Sequence, residues 1–268
     1  MSSNIKSVQE AIKLIEDVQN FYEINNPEKL EYQRRVAQTI RRFLNKPEFF
    51  IREFIQNADD AKASEITIKV SGDYVEIENN GEEFTEEQFK ALSSIGKSTK
   101  ELIGFIGYFG IGFKSIFYYT NEVRIASGFL RWKYNSDTIC VPFKDYDNTV
   151  DVEYVKGTRI SFKLKENKKD EFIEELRKFP REVILFLQNI KNIKIIINGE
   201  CEEISKKHVR EELWEVIINK YNSKKKKYFI IKKATVKLTK EQSRLFLQQK
   251  LREVYWEEIR EYSKEIEL

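Results

Sequence analysis

Glycine is concentrated in one short part of this 268-residue chain, and that clustering limits the folds available to it. Five of the ten glycines lie between Gly96 and Gly112, and the segment from Gly104 to Ser115 reads GFIGYFGIGFKS. Glycine lets a backbone approach a ligand closely, and free N–H groups at the start of a helix attract phosphate oxygens. Because a helix is predicted to begin near Phe113, this segment predicts a phosphate-binding loop, with a flexible structural loop as the alternative.

The spacing of apolar residues predicts helices packed against one sheet. Helical spacing occurs at 7–21, 28–43, 49–62, 85–95, 169–188 and 206–221, and in a final helix of roughly twenty-five residues. Strands are predicted at 65–70, 74–81, 123–127, 129–134, 138–143, 157–164, 193–199 and 228–238. The predicted fold class is therefore α+β, a two-layer α/β sandwich with helices on one face of a mixed, mostly antiparallel sheet.

Composition and proline positions predict three parts in the chain. An N-terminal helical segment at 1–27 ends at Pro27, and the main domain at 28–200 follows it. Beyond Gly199 the sequence becomes more charged, which predicts an α/β extension of helix, strand and helix at 201–268. The chain length is sufficient for one large core with such an appended segment.

Charge and cysteine usage exclude several functional classes. The 47 Lys and Arg nearly balance the 44 Asp and Glu, so there is no overall attraction to nucleic acid. Cys140 and Cys201 have no metal-binding spacing and no disulfide framework, which predicts reduced thiols. No apolar run has the form of a signal peptide or a membrane span, so we expect a cytoplasmic protein without a membrane partner.

Two polar side chains that suit phosphate chemistry, Glu53 and Asn57, lie four residues apart on one predicted helix. Asp60 and Ala61 follow three and four residues later, so all four share one stripe of that helix. Hydrolysis of a terminal phosphate needs a base that orients water, and Mg²⁺ needs hard oxygen ligands. Glu53 and Asn57 match these two needs, and a solvated polar face is the alternative interpretation.

Two strand ends supply further polar groups. The string IENNGEEF places Asn79 and Gly81 at the end of one strand, and Gly157-Thr158 opens another. Alternation puts Asn79 on the same face of its strand as Ile77. A polar side chain and a hydroxyl at the ends of neighbouring strands would suit recognition of a base, although turn chemistry explains both equally well.

A P-loop is excluded, although GKST at Gly96 to Thr99 resembles the end of one. That motif requires a glycine five residues before its second glycine, and this position is Ala91. The preceding segment is also predicted to be a helix and not a strand.

Taken in order, the strings REFIQNADDA, IENNGEEF, GKSTK, IGYFGIGFKS and GTRISF single out a family. They resemble the N-box, the Asp-Gly box, the lid, the glycine-rich box and the Thr strand of GHKL ATP-binding domains. The resemblance covers about Glu28 to Gly199 and is greatest to the heat-shock-chaperone branch, particularly to sacsin-like and NO VEIN-like proteins, which share IQNADDA. It implies a Bergerat fold with an ATP lid, and ATP and Mg²⁺ as cofactors.

The resemblance also implies roles at the phosphate end of the site. Glu53 would be the general base for the attacking water, and Asn57 would be the Mg²⁺ ligand. Lys97 in the lid would reach the phosphates. The residues that would cradle the triphosphate are Gly107, Gly110, Ile111, Gly112 and Phe113.

At the adenine end, the resemblance implies that Ala61 lines the base pocket and that Asp60 joins its polar network. Phe84 would pack on the base, beside the backbone of Gly81. Thr158 would support adenine through its hydroxyl group and a water molecule.

The sequence departs from the family in the Asp-Gly box. Asn79 replaces the carboxylate that receives the adenine amine, and Glu83 replaces the second glycine of the box. An amide oxygen still accepts a hydrogen bond, but without the strength that a charge gives. Glu78 is a poor substitute because alternation directs it to the opposite face. We therefore expect ATP binding that is weaker than is usual for the family.

The leading hypothesis is an ATP-driven conformational module of a chaperone-like protein, with slow hydrolysis and lid closure that moves the segment after Gly199. A protein client and homodimerisation through the N-terminal helices are the partners expected by analogy. One alternative is a nucleic-acid-associated ATPase of the MutL, topoisomerase or MORC kind, motivated by Lys224–Lys227. Another is a nucleotide sensor without hydrolysis. A histidine kinase is disfavoured because the single histidine, His208, lies among basic residues.

Overall fold

The structure is a computed structural model that describes residues 5–43, 49–93, 113–146, 152–210, 212–220 and 223–230. Its α-helices are α1 (Val8–Phe21), α2 (Pro27–Phe43), α3 (Phe49–Asp60), α4 (Glu86–Leu92) and α5 (Lys169–Lys178). Its strands are β1 (Glu65–Ser71), β2 (Tyr74–Asn79), β3 (Glu122–Gly128), β4 (Leu130–Asn135), β5 (Phe143–Lys144), β6 (Val155–Lys163), β7 (Asn192–Ile197), β8 (Glu200–Arg210), β9 (Leu213–Lys220) and β10 (Ser223–Ile230). Short 3₁₀ helices lie at Phe113–Tyr118, Glu166–Lys168 and Arg181–Phe186.

All of the described strands form one ten-stranded sheet in the order β10-β9-β8-β7-β1-β2-β6-β3-β4-β5. The β1–β7 pair is parallel and the other neighbouring pairs are antiparallel. This mixed, mostly antiparallel sheet with its helices confirms the predicted α+β sandwich class.

Alternation along the central strands separates a core face from a charged face. In β1 the side chains of Ile66, Ile68 and Val70 are buried, and Ile68 pairs directly with Ile77 of β2. The opposite face carries cross-strand ion pairs, which join Arg159 to Glu78, Lys194 to Glu203 at 3.2 Å, and Lys226 to Glu215 at 2.8 Å. The helices therefore pack on one side of the sheet, and charged side chains cover the other.

Phe50 of α3 is the centre of an aromatic cluster between the helices and the sheet. Its ring centroid lies 5.8 Å from those of Phe162 in β6 and Tyr119, and 5.9 Å from that of Phe172 in α5. Phe50 and Phe172 are fully buried. These edge-on and tilted contacts hold α3 and α5 against the middle of the sheet.

Local capping explains where three helices begin. The Ser7 hydroxyl accepts from the Glu10 N–H at 3.2 Å at the start of α1, and Pro27 occupies the first residue of α2. Thr85 and Gln88 form a reciprocal capping box at the start of α4. The predicted starts of α1 and α2 are confirmed to within one residue.

The carboxylate of Asp59, buried near the end of α3, anchors that helix to the segment before β7. Its two oxygens accept from the N–H groups of Gln188 at 2.8 Å, Asn189 at 2.7 Å and Ile190 at 2.9 Å. The side chain of Asn189 returns a hydrogen bond to the Asp59 carbonyl at 2.8 Å. A single buried carboxylate thus satisfies three backbone donors and fixes the end of α3 relative to the sheet.

The predicted helix at 206–221 is wrong, because residues 206–210 lie in strand β8 and residues 213–220 lie in strand β9. The reason is the turn before it: Asn198 and Gly199 have φ of +50° and +91° and form the two-residue loop between β7 and β8. An Asn-Gly pair in this conformation closes a hairpin whose twist matches the strands, so the chain returns along β7. Lys224–Lys227, which precede the strand predicted at 228–238, lie within β10.

Three other predicted elements differ in extent. The helix predicted over 169–188 ends at Lys178, because Pro180 cannot continue it, and a 3₁₀ helix follows. Of the strand predicted at 138–143, only Phe143 is paired, in the two-residue strand β5. The helix near Phe113 is a 3₁₀ helix. Residues 231–238 and the final predicted helix lie outside the described residues.

Within the described part of the chain, no helix is both long enough and apolar enough to cross a membrane. Cys140 is buried and Cys201 is partly exposed, and both are free.

Candidate functional site

The polar stripe of α3 brings Glu53 and Asn57 together, as the four-residue spacing predicts. The Asn57 amide lies 3.4 Å from a carboxylate oxygen of Glu53 and donates to it, and both side chains are half-buried. The neighbouring Phe54 packs on Phe113, with ring centroids 5.7 Å apart. The helix that carries the carboxylate and the amide is therefore in contact with the residue that directly follows Gly112.

The end of β2 folds back onto the end of α3. The N–H of Glu82 donates to the Ala61 carbonyl at 2.6 Å, and the N–H of Gly81 donates to the Asn79 side-chain oxygen at 3.0 Å. A Cβ atom on Gly81 would lie 2.6 Å from the Ala61 carbonyl oxygen. This close approach requires glycine, and it places Asn79 beside Ala61.

Three polar side chains lie side by side on the core face of three adjacent strands. Asn79 of β2 pairs in register with Thr158 of β6, and the Thr158 hydroxyl lies 3.4 Å from the hydroxyl of Ser127 in β3. Thr158 and Ser127 are buried. Their nearest neighbours on this face of the same strands, such as Ile77 and Ile160, are apolar, so these three side chains form a polar end to an apolar layer.

Ser127 is a residue that the sequence analysis missed. Its hydroxyl donates to the Gly157 carbonyl at 2.7 Å and accepts from the Phe84 N–H at 2.9 Å. A serine at an inward-facing position of the strand VRIAS, where Val123 and Ile125 are buried, was the available signal. Ser127 thereby connects the loop after β2 to the start of β6.

Gly157 lies where β6 comes close to the end of β2, and both its N–H and its carbonyl are hydrogen-bonded. Its φ is +75°, and a Cβ atom would overlap the Asn79 carbonyl oxygen and lie 3.0 Å from the Asn80 Cα. The Gly157 N–H donates to a carboxylate oxygen of Glu83 at 3.3 Å, and its carbonyl accepts from Ser127. Glu83, at the position where the family resemblance implies a second glycine, therefore positions Gly157.

Phe84 and Asp60 are both half-buried. Phe84 is half-buried and packs edge-on against the buried Trp132, with ring centroids 5.4 Å apart. Asp60 is half-buried in the last turn of α3, whereas its neighbour Asp59 is the buried carboxylate that binds the backbone before β7. The role of Asp59 has no local signal in the sequence, since its partners are about 130 residues away along the chain.

A second buried polar cluster surrounds Lys114. The Lys114 ammonium donates to the Leu92 carbonyl at 2.7 Å and lies 4.2 Å from the centre of the Tyr134 ring. Burial lowers the pKa of Lys114 to about 8, partly opposed by the Cys140 thiol. Burial raises the pKa of Cys140, of Tyr134, and of Tyr22, the last to about 12.

Five of the predicted site residues, Lys97, Gly107, Gly110, Ile111 and Gly112, lie outside the described residues. Phe113 is described and is buried against α3. In the described part of the chain, the predicted adenine-end residues Ala61, Asn79 and Thr158 are brought together. Glu53 and Asn57 lie on α3, which ends one residue before Ala61.

Residues 29–141 match the family model of the Sacsin domain. The chain is 30% identical over 191 residues to the chaperone protein HtpG of Chlorobium chlorochromatii, which covers 56% of this chain and 29% of HtpG. It is 37% identical over 92 residues to the protein NO VEIN of Arabidopsis thaliana, covering 32% of this chain and 3% of NO VEIN. It is 28% identical over 138 residues to human sacsin, covering 44% of this chain and 3% of sacsin.

These similarities support a sacsin-like and Hsp90-like, ATPase-related domain. The chain spans 29% of the length of the HtpG relative, so the similarity concerns one part of that chaperone.

The contacts of Gly157 predict a large difference between two glycine substitutions. Gly157→Ala combines a left-handed backbone with overlap at Asn79, so we expect a loss of roughly 2–5 kcal/mol in the free energy of unfolding. Gly72→Ala is the matched control, because Gly72 has φ of +64° and nothing within 4 Å, and should lose about 1–2 kcal/mol. Urea unfolding midpoints measure both, and equal losses would contradict the described contact.

Lys114 predicts a pH dependence of stability. Its pKa is about 8 in the folded chain and 10.5 ordinarily, so the unfolded chain binds more protons between these pH values. The free energy of unfolding should therefore rise with pH there, by at most about 3 kcal/mol.

The Lys114→Met variant should lack that rise. The raised pKa values of Cys140, Tyr22 and Tyr134 lower stability with pH above about pH 9 in both proteins, because the folded chain keeps those protons longer. The measurement is therefore the difference between wild type and variant in urea unfolding at pH 7.5, 8.5 and 9.5. A difference that stays constant over this range would contradict the lowered pKa.

Proposed function

We propose that this chain is an Mg²⁺-dependent ATP-binding domain that hydrolyses ATP slowly and changes conformation within a chaperone-like protein. The observation that carries the proposal is the arrangement of polar groups along α3. A carboxylate–amide pair, Glu53 and Asn57, lies on this helix, and a polar cluster of Asn79, Thr158 and Ser127 lies at the strand ends beside its last turn. The order of the sequence motifs resembles that of GHKL ATP-binding domains. On this basis we assign the phosphate end of ATP with Mg²⁺ to the first group and adenine to the second.

At the phosphate end, Asn57 binds Mg²⁺ through its side-chain oxygen, and Glu53 accepts a proton from the attacking water. The hydrogen bond between them supports this division of roles, because the Asn57 amide N–H faces Glu53 and its oxygen is then directed elsewhere. Mg²⁺ keeps several waters and phosphate oxygens in its shell, so one protein ligand is sufficient.

At the adenine end, Asn79 and Thr158 recognise the base and Ser127 fixes their spacing. Phe84 and Ala61 supply apolar surface on either side of the base, and Asp60 joins the polar network. The support is the register that pairs Asn79 with Thr158 and the close approach of Gly81 to Ala61.

The phosphates are bound by the glycine-rich segment and by Lys97 in a lid. The residues proposed for this role are Gly107, Gly110, Ile111, Gly112 and Phe113. Closure of a lid before water and phosphate are aligned accounts for slow turnover. The packing of Phe113 on Phe54 supports the role of this segment, because it sets the end of the glycine-rich box against the helix that carries Glu53.

A chaperone-like context for the domain follows from the similarity to HtpG, a chaperone protein. We propose a protein client and homodimerisation through the N-terminal helices. Two aromatic side chains on these helices support an interaction there, since Phe21 in α1 is 78% exposed and Tyr32 in α2 is 62% exposed.

A nucleic-acid-associated role is less well supported by the lysine run in β10. Lys226 pairs with Glu215 at 2.8 Å and Lys227 pairs with Glu182 at 3.0 Å. Two of the four consecutive lysines thus already have carboxylate partners, which reduces the positive field available to phosphates.

Substitution of the proposed base separates hydrolysis from nucleotide sensing. Glu53→Gln keeps an acceptor for the Asn57 amide but cannot take a proton, so phosphate release should fall by about 10²–10⁴-fold. ATP binding should be retained in calorimetric titration. Glu174→Gln, an exposed glutamate on α5, is the control and should turn over like wild type. Unchanged phosphate release in the Glu53 variant would remove this residue from the mechanism.

Restoring the family carboxylate tests the adenine end. Asn79→Asp should bind ATP about tenfold more tightly, because a hydrogen bond to a charged acceptor is stronger by roughly 1 kcal/mol or more. It should not strengthen GTP binding, since guanine has no amine at that position. Asn80→Asp is the neighbouring control, whose side-chain oxygen accepts from the N–H groups of Ser64 and Glu65. Equal ATP affinities in all three proteins would contradict base recognition by residue 79.

A further inference from the structure

Lys114 is a buried charged side chain that lies beside two aromatic rings. It is 2% exposed, and its ammonium lies 4.2 Å from the centre of the Tyr134 ring and 5.6 Å from that of Phe113. No carboxylate pairs with it among the residues that the structure describes. Burial of an ammonium group is unfavourable, so a neutral side chain of similar size would make the folded chain more stable.

The hydrogen bond of Lys114 joins two elements that are far apart along the chain. Its acceptor, the carbonyl of Leu92 at 2.7 Å, is the last residue of α4. Lys114 itself is the second residue of the 3₁₀ helix that begins at Phe113. In the sequence, the glycine-rich box lies between these two described residues.

Further contacts connect this hydrogen bond to α1 and to the sheet. The hydroxyl of Ser93, next to Leu92, lies 2.7 Å from that of Tyr134 in β4. The hydroxyl of Tyr22, next to the end of α1, donates to the Ser93 carbonyl. Residues 92 and 93 are therefore held by Lys114, Tyr134 and Tyr22 at the same time.

The other side of Lys114 connects to the helix that carries Glu53. Phe113, its neighbour in sequence, packs on Phe54 of α3. A continuous path of contacts thus runs from the end of α4 through Lys114 and Phe113 to α3.

We propose that Lys114 is a positioning residue for the nucleotide site. Its hydrogen bond to Leu92 sets the distance between the end of α4 and the 3₁₀ helix, and so the placement of Phe113 against α3. This inference rests on the proposed function, because the position of Phe113 matters for the phosphate end of that site. The ammonium group thus supplies a donor to the Leu92 carbonyl despite its unfavourable burial.

Removal of the Lys114 charge distinguishes a positioning role from a merely structural one. A merely structural residue would change stability and nucleotide affinity in the same direction, whereas a positioning residue changes them in opposite directions. Lys114→Met fills similar volume without a buried charge, so thermal unfolding should shift upwards by roughly 5 °C. Binding of a non-hydrolysable ATP analogue with Mg²⁺ should weaken at least tenfold, because the Leu92 contact is lost. A gain in stability together with a loss of affinity is the expected signature.

Two further variants make the test decisive. Lys114→Gln keeps a neutral donor for the Leu92 carbonyl on a side chain one bond shorter, and should recover part of the lost affinity. Lys90→Met removes an exposed lysine of α4 that pairs with Glu86, and should change neither quantity. Calorimetric titration and thermal unfolding of the full chain measure all four proteins.

The proposal is overturned if Lys114→Met binds the analogue as wild type does while Asn79→Asp alters affinity. It is also overturned if Lys114→Met lowers both stability and affinity and Lys114→Gln recovers neither, since Lys114 would then serve packing alone. If wild type binds no adenine nucleotide, the proposed function fails first and this inference fails with it.

Discussion

The buried carboxylate of Asp59 is the constraint on which the rest of the site depends. By accepting from three consecutive backbone N–H groups before β7, it fixes the end of α3 against the parallel β1–β7 pair. The last turn of α3 then lies where Ala61 receives the backbone of the loop after β2. Glu53 and Asn57 lie on this helix, so the Asp59 hydrogen bonds also fix their positions.

The adenine end of the proposed site is built from close backbone approaches that only glycine permits. Gly81 lies against Ala61, and Gly157 lies against Asn79, so the loop after β2 is held between α3 and β6. Ser127 and Glu83 bind the carbonyl and the N–H of Gly157 and hold it in its left-handed conformation. The polar side chains there are positioned by backbone geometry more than by contacts among themselves.

Local patterns in the sequence predicted the parts of the fold and the site that depend on neighbours along the chain. The Glu53–Asn57 contact follows from a four-residue helical spacing, and the inward direction of Asn79 follows from strand alternation. The contacts of Asp59, Ser127 and Glu83 were not predicted because their partners lie 30 to 131 residues away. The segment at 206–221 was misassigned because its apolar spacing fits a helix as well as a strand, and pairing between β8 and β9 decided between them.

The Asn198-Gly199 turn has a consequence for how this chain can be shortened. The turn joins β7 to β8 in one ladder, so the six backbone pairs along β7 are completed only by residues after position 199. A protein truncated at this turn would leave β7 as a bare edge, with Ile193 and Ile195 in an isoleucine-rich strand of high β-propensity. Such an edge is a template for aggregation, which makes β8 a protective cover as well as a part of the sheet.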